Sequence, residues 1–134
     1  MSSGDFSTSA DLPAAIGNSQ EPLIAIASPA AQVRALNDAF RRSFVGGQVV
    51  ETPGVVELRE CDRIALLLAV RRFDAFDADN DPYGEHDFGA VEVGGETFFW
   101  EIDAYDRALL GGSPDPADPA VTTRVLTIMR ADEY

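Results

Sequence analysis

Asp77-Ala-Asp-Asn-Asp-Pro-Tyr-Gly-Glu-His-Asp-Phe-Gly89 gathers five carboxylic acids and the chain's one histidine into thirteen residues. Three kinds of chemistry draw on such a set. The first is cation binding, suggested by the alternation of Asp77, Asp79 and Asp81. A helix-loop-helix calcium site takes oxygens at loop positions 1, 3 and 5, glycine at 6 and a bidentate glutamate at 12. Counting from Asp77 puts Pro82 at the glycine position and Phe88 at the closing one. Counting from Asp79 puts Tyr83 at the third oxygen position and Ala90 at the closing one. Neither register closes, so no metal or other cofactor is assigned. Asp79, Asp81, Glu85 and Asp87 are the residues that a looser divalent-cation site would use. One cysteine, Cys61, and one histidine cannot build a structural zinc site.

The second chemistry is acid–base catalysis. A histidine held by a carboxylate can serve as a general base, and His86 with Asp87 and Asp103 would be the catalytic group of a small metal-assisted or acid/base hydrolase. The same geometry describes a histidine that staples a hairpin end, and the residues favour that structural role. A Cys61–His86 nucleophile pair is allowed by composition, but nothing in the sequence brings the two together. No phosphate-binding glycine loop and no nucleophile elbow is present.

The third is electrostatic. The chain carries 23 acids against 10 bases, a net charge of −13, and every base is an arginine. From Phe73 to Asp106 there is no arginine at all, whereas Asp74, Asp77, Asp79, Asp81, Glu85, Asp87, Glu92, Glu96, Glu101, Asp103 and Asp106 all fall there. Direct nucleic-acid binding is disfavoured, because such proteins concentrate positive charge on the binding face. A basic protein surface is the natural partner, and Asp74, Asp77, Asp79, Asp81, Glu85, Glu92, Glu96 and Glu101 are the residues expected to meet it. A solvated face that confers solubility is the plain alternative.

These residues need a frame. Residues 1–21, punctuated by Ser, Gly, Asp and Pro, read as a flexible tail, and residues 22–134 as one domain. Ser28-Pro29 opens a helix as N-cap and first position. Val33, Leu36, Phe40 and Phe44 form its inner face, Arg34, Asp38, Arg41 and Arg42 its outer one, and Gly46-Gly47 its stop. A short strand, Gln48–Glu51, leads into a Thr52-Pro-Gly54 turn. A second helix is expected from Asp62 to about Phe76, apolar around much of its circumference and therefore largely buried. Its Arg63, Arg71 and Arg72 should point outward or pair with the acidic block.

Gly94-Gly95 then joins Asp87–Val93 to Glu96–Asp103 as a two-residue hairpin turn. That turn fixes the register, pairing Val91 with Phe98, Gly89 with Trp100, Phe88 with Glu101 and, at the end, His86 with Asp103. Val91, Val93, Phe98, Trp100 and Ile102 share the core side, and Gly89 leaves room for the indole. Ser113–Pro119 is a proline-spaced loop, and Thr123–Arg130 reads as an inner strand. The sum is an α+β domain: two helices packed on one face of a mainly antiparallel sheet of three to five strands. No apolar run reaches the roughly 20 residues of a membrane helix, no signal peptide is read at the start, and one cysteine precludes an internal disulfide. The expected location is cytoplasmic, and the oligomeric state is left open.

Six segments together resemble an alphaproteobacterial family, domain-of-unknown-function family 3768. They are Leu36-Asn-Asp-Ala-Phe-Arg-Arg42, Thr52-Pro-Gly-Val55, Asn80-Asp-Pro-Tyr-Gly-Glu-His-Asp-Phe-Gly89, Phe99-Trp-Glu-Ile-Asp-Ala-Tyr-Asp106, Ser113-Pro-Asp-Pro-Ala-Asp-Pro119 and Thr123-Arg-Val-Leu-Thr-Ile-Met-Arg-Ala-Asp-Glu-Tyr134. The resemblance spans residue 34 to the C-terminus. It implies a small bacterial accessory protein of plasmids and other mobile elements, set among anti-restriction and conjugation genes. It supplies no catalytic residues. Glu101 and Ala104 stand where the family pattern leads one to expect lysine and tyrosine. An acidic, DNA-mimic inhibitor of a nucleic-acid-binding defence complex follows as the expected role.

Overall fold

Helix α1 (Pro29–Ser43) begins as the Ser28-Pro29 pair dictates: the Ser28 hydroxyl accepts from the Ala31 amide, and proline occupies the first turn. In the computed structural model, which describes residues 27–134, the chain continues through β1 (Gly47–Glu51), α2 (Pro53–Val56) and α3 (Glu60–Arg71). It ends with β2 (Phe88–Val93), β3 (Glu96–Tyr105) and β4 (Thr123–Arg130). The expected 1–21 tail lies outside the described residues. The strands form one sheet in the order β1-β4-β3-β2, with β1 parallel to β4 and the other pairs antiparallel. The fold is therefore α+β with a mainly antiparallel sheet, and β4 is an inner strand.

The Gly94-Gly95 turn sets the hairpin. Both residues have positive φ, 61° and 82°, as a type I′ turn requires. The ladder runs from Val93 opposite Glu96 to Phe88 opposite Glu101, in the register that the two-residue turn implies. Phe98, Trp100 and Ile102 consequently meet Leu126 and Ile128 on one face, where Phe40, Val55, Leu66 and Val70 from the three helices close the core. The other face carries Phe88, Phe99, Met129 and Glu101. The Tyr134 ring lies against Phe88 and Phe99 at centroid distances of 5.9 and 5.5 Å.

Three local expectations are corrected. Helix α1 ends at Ser43, not at the glycines, because Phe44 itself takes the left-handed conformation (φ 61°) and its amide bonds back to Phe40 O. Thr52-Pro-Gly54 opens a helical turn, with Pro53 preorganising its first position. Helix α3 is shorter than expected and half-exposed. Only Leu66 and Val70 are buried, since the sheet covers one side of it alone, and Ile64 and Leu68 remain 51% and 37% exposed. Its Arg63, Arg71 and Arg72 are exposed and point outward as expected, Arg63 pairing with Glu51 at 2.7 Å and Arg71 donating to Arg42 O.

Candidate functional site

His86 is the centre of the acidic motif and sits in an unusual backbone state, with φ at 54°. A β-carbon in the left-handed region costs free energy, and such a residue persists only where its surroundings hold it. Here they do. Within the loop, Asp81 Oδ1 accepts from the His86 amide at 3.1 Å. Asp77 Oδ1 accepts from the amides of Asp79 and Asn80, while Asn80 returns bonds to Asp77 N and Ala75 O. These are the side-chain-to-backbone bonds by which Asp and Asn shape turns. Helix α1 then clamps the loop from outside. Arg34 donates to Gly84 O, Asn37 to Glu85 O, and Asp38 meets the His86 ring.

The imidazole is held at both nitrogens and on one ring face. Nδ1 lies 2.9 and 3.0 Å from the two oxygens of Asp38, Nε2 lies 3.5 Å from Asp81 Oδ2, and the ring stacks on Phe76 at 3.7 Å. The carboxylates that hold His86 are thus Asp38 and Asp81. The expected His86–Asp103 pairing does not form, because the β2–β3 ladder stops at Phe88–Glu101 and left-handed His86 turns toward α1.

Behind this histidine stands Arg41, which the sequence places on the solvent face of α1 and the structure buries completely. Its Nη1 bonds Asp38 at 3.0 Å, Nε reaches Val70 O at 3.1 Å and Nη2 reaches Phe73 O at 2.9 Å. The guanidinium carbon lies 4.9 Å from the Trp100 ring centroid and 5.4 Å from that of Phe76. Burial lowers the Arg41 pKa, and the Asp38 carboxylate opposes that shift. One polar line therefore runs Arg41–Asp38–His86–Asp81. The pattern that could have revealed Arg41 is its spacing: Val33, Asn37, Phe40 and Arg41 form one helical stripe, and all four are buried.

The remaining acids divide into groups. Asp81 is spent on His86, with 7% of its side chain exposed. Glu96 is paired with Arg130 at 2.7 Å, an arginine that comes from outside the acidic block. Asp74, Asp77, Asp79 and Glu92 are exposed. Glu85, Asp87 and Glu101 are half-buried, and the pKa of each is raised, first by burial and then by neighbouring acids: Asp87 and Asp81 for Glu85, Asp81 and Asp103 for Asp87, Asp103 for Glu101. Among the described residues no group of three or more His, Cys, Asp or Glu side chains is placed to hold a metal ion. Cys61 is exposed on the first turn of α3. Two surface cavities, of about 210 and 370 Å³, are lined by Glu96, Thr97 and Arg130 and by Gly46, Gln48 and Arg107, away from His86.

These raised values set a pH dependence. Each folded-state pKa lies above its unfolded value, so the linked stability is fully present below the unfolded carboxylate pKa and is lost as pH rises through the folded value. The contribution of these three groups to the Tm should accordingly fall as pH rises from the ordinary carboxylate range towards neutrality, read from thermal melts across that range. Glu101→Gln should raise the Tm at the higher pH and flatten the profile. A Tm that falls steadily on acidification over this window would refute the linkage.

The other recurrent segments are joints as well. Glu133 accepts from Thr52 Oγ1, Gly54 N and Arg130 N, tying the C-terminal turn to the start of α2. Ser113 bonds Thr122, and Arg124 bridges Asn37 to Pro116 O.

A family model described as "Protein of unknown function (DUF3768)" matches residues 51–133, and the chain belongs to that family. The matched stretch holds the Asn80–Gly89 corner but leaves out α1, with Asp38 and Arg41. Comparison with curated proteins and with solved structures finds no match. No helix among the described residues is long and apolar enough to cross a membrane.

Proposed function

We propose that this DUF3768 protein is an acidic accessory protein of mobile elements that acts by protein–protein contact. It places carboxylates on the basic surface of a nucleic-acid-binding defence complex, in the manner of a DNA mimic. The observation that carries this reading is how the Asp77–Gly89 corner spends its bonds. The amides of Asp79, Asn80, Asp81 and His86 and the side chains of Asn80, Asp81 and His86 are satisfied within the corner or by α1, while Asp74, Asp79 and, on the edge strand, Glu92 stay exposed on a fixed frame, and Asp77, also exposed, turns one oxygen onto two amides. Rigid, outward carboxylates lose little entropy on meeting a cationic groove. The resemblance to proteins of mobile elements adds the setting.

A hydrolase built on His86, Asp87 and Asp103 would need an imidazole nitrogen free to take a proton from substrate. Both nitrogens here face carboxylates, which favours the interaction reading. The test is capture of partners on the tagged protein from nuclease-treated host lysate, with washes of rising salt. Retention of a nucleic-acid-processing complex that releases as salt rises is expected, since such contacts depend steeply on ionic strength. An Asp74→Asn/Asp79→Asn/Glu92→Gln triple variant should lose the complex at low salt. Retention by that variant, or binding indifferent to salt, would overturn the proposal.

A further inference from the structure

Helix α3 has a second apolar side that its own fold does not cover. Helical geometry of 3.6 residues per turn places Glu60, Cys61, Ile64, Leu68, Arg71 and the C-capping Arg72 within an arc of roughly 120°, opposite Leu66 and Val70. All six are exposed. Their order along the axis is acidic, then apolar, then basic, and Glu60 and Arg72 make no ion pair among the described residues. A helix apolar around most of its circumference is normally buried around most of it.

We infer that this strip pairs with the same strip of a second copy of the chain, antiparallel, across a two-fold axis that crosses the exposed side of the helix at the level of residue 66. The occupant follows from the sequence order. A two-fold operation at that point sets Ile64 against Leu68 of the second copy, and Glu60 against its Arg72. The apolar centre is covered and both charges are neutralised at once. A parallel arrangement would set like charges together. A two-fold interface must be self-complementary in this way, and the strip, with one acid against two arginines, does not share the acidic excess that gives the chain its net charge of −13. The strip is only about 18 Å long, which makes the expected dimer a weak one.

Light scattering coupled to size exclusion, from about 1 to about 100 μM protein, tests the pairing directly. A concentration-dependent dimer is expected, and Ile64→Glu should abolish it while leaving the circular dichroism and melting of the domain intact, since Ile64 touches solvent. Glu60→Arg and Arg72→Glu should each weaken association by about tenfold, and the double reversal should restore it. The two-fold sets the Cys61 residues of the two copies roughly 15 Å apart along the helix, so reductant should change nothing. A monomer at every concentration overturns the inference. So does a dimer that survives Ile64→Glu, one that the double reversal fails to restore, or one that disappears with reductant.

Discussion

Arg41→Ala should lower the unfolding free energy by about 3–5 kcal/mol, the cost of breaking a buried ion pair by removing one partner. The side chain is fully buried, and its loss leaves two carbonyls, Val70 O and Phe73 O, and one side of Asp38 without their donor. Each unsatisfied buried acceptor costs about 1–3 kcal/mol, and the contacts to Trp100 and Phe76 vanish with the guanidinium. Arg41→Lys should recover little. An ammonium is a point charge, and it cannot reproduce a planar fork that bonds a carboxylate and two carbonyls in different directions. Whole-domain stabilities are about 5–15 kcal/mol, so Arg41→Ala leaves the fold marginal. Urea unfolding gives the number, provided the slope with denaturant is unchanged. A loss below about 1 kcal/mol would mean that water replaces the guanidinium and that the line to His86 is not a structural unit.

The size of that effect is also a measure of what a sequence conceals. The hairpin was legible because Gly94-Gly95 can close only a tight turn, and a tight turn determines every pair down to Phe88–Glu101. The inner position of β4 was legible because Val125, Leu126, Ile128 and Met129 leave neither face polar. Arg41 was not, since a charged residue beside Arg42 reads as solvent-facing, and its partners Val70 and Phe73 lie far along the chain. His86 was half-legible. Its structural role could be read from the motif, but the carboxylate beside it comes from Asp38, 48 residues earlier, and no local pattern announces a partner at that distance. Helix α3 misled for a related reason. Its apolar residues demand burial, and a single sequence does not say whether the chain's own sheet or another surface provides it.

Gly89→Ala carries the second large effect, and it links the core to the acidic corner. A β-carbon on Gly89 would lie 2.8 Å from Trp100 Cζ2, and nearer still to Nε1, far inside contact distance. The indole has no easy retreat. It is fully buried, with Arg41 over its face and the rings of Phe73 and Phe76 edge-on at 5.5 and 6.1 Å. Overpacking of this kind costs about 1–3 kcal/mol, and Gly89→Val should reach the upper end or beyond. The displacement has a direct route outward: Trp100 presses on Phe76, and Phe76 carries the His86 ring at 3.7 Å. Gly89→Ala should therefore shift the His86 ring resonances in an NMR spectrum as well as lower the Tm. Trp100→Phe offers the relief. It removes the part of the indole that Gly89 faces, together with the Nε1–H, which has no hydrogen-bond partner among the described residues. In a double-mutant cycle the two substitutions should cost less together than the sum of their separate costs, by about 1 kcal/mol or more. Strict additivity would break the chain of contact at its first step, and would leave the glycine accounted for by backbone alone.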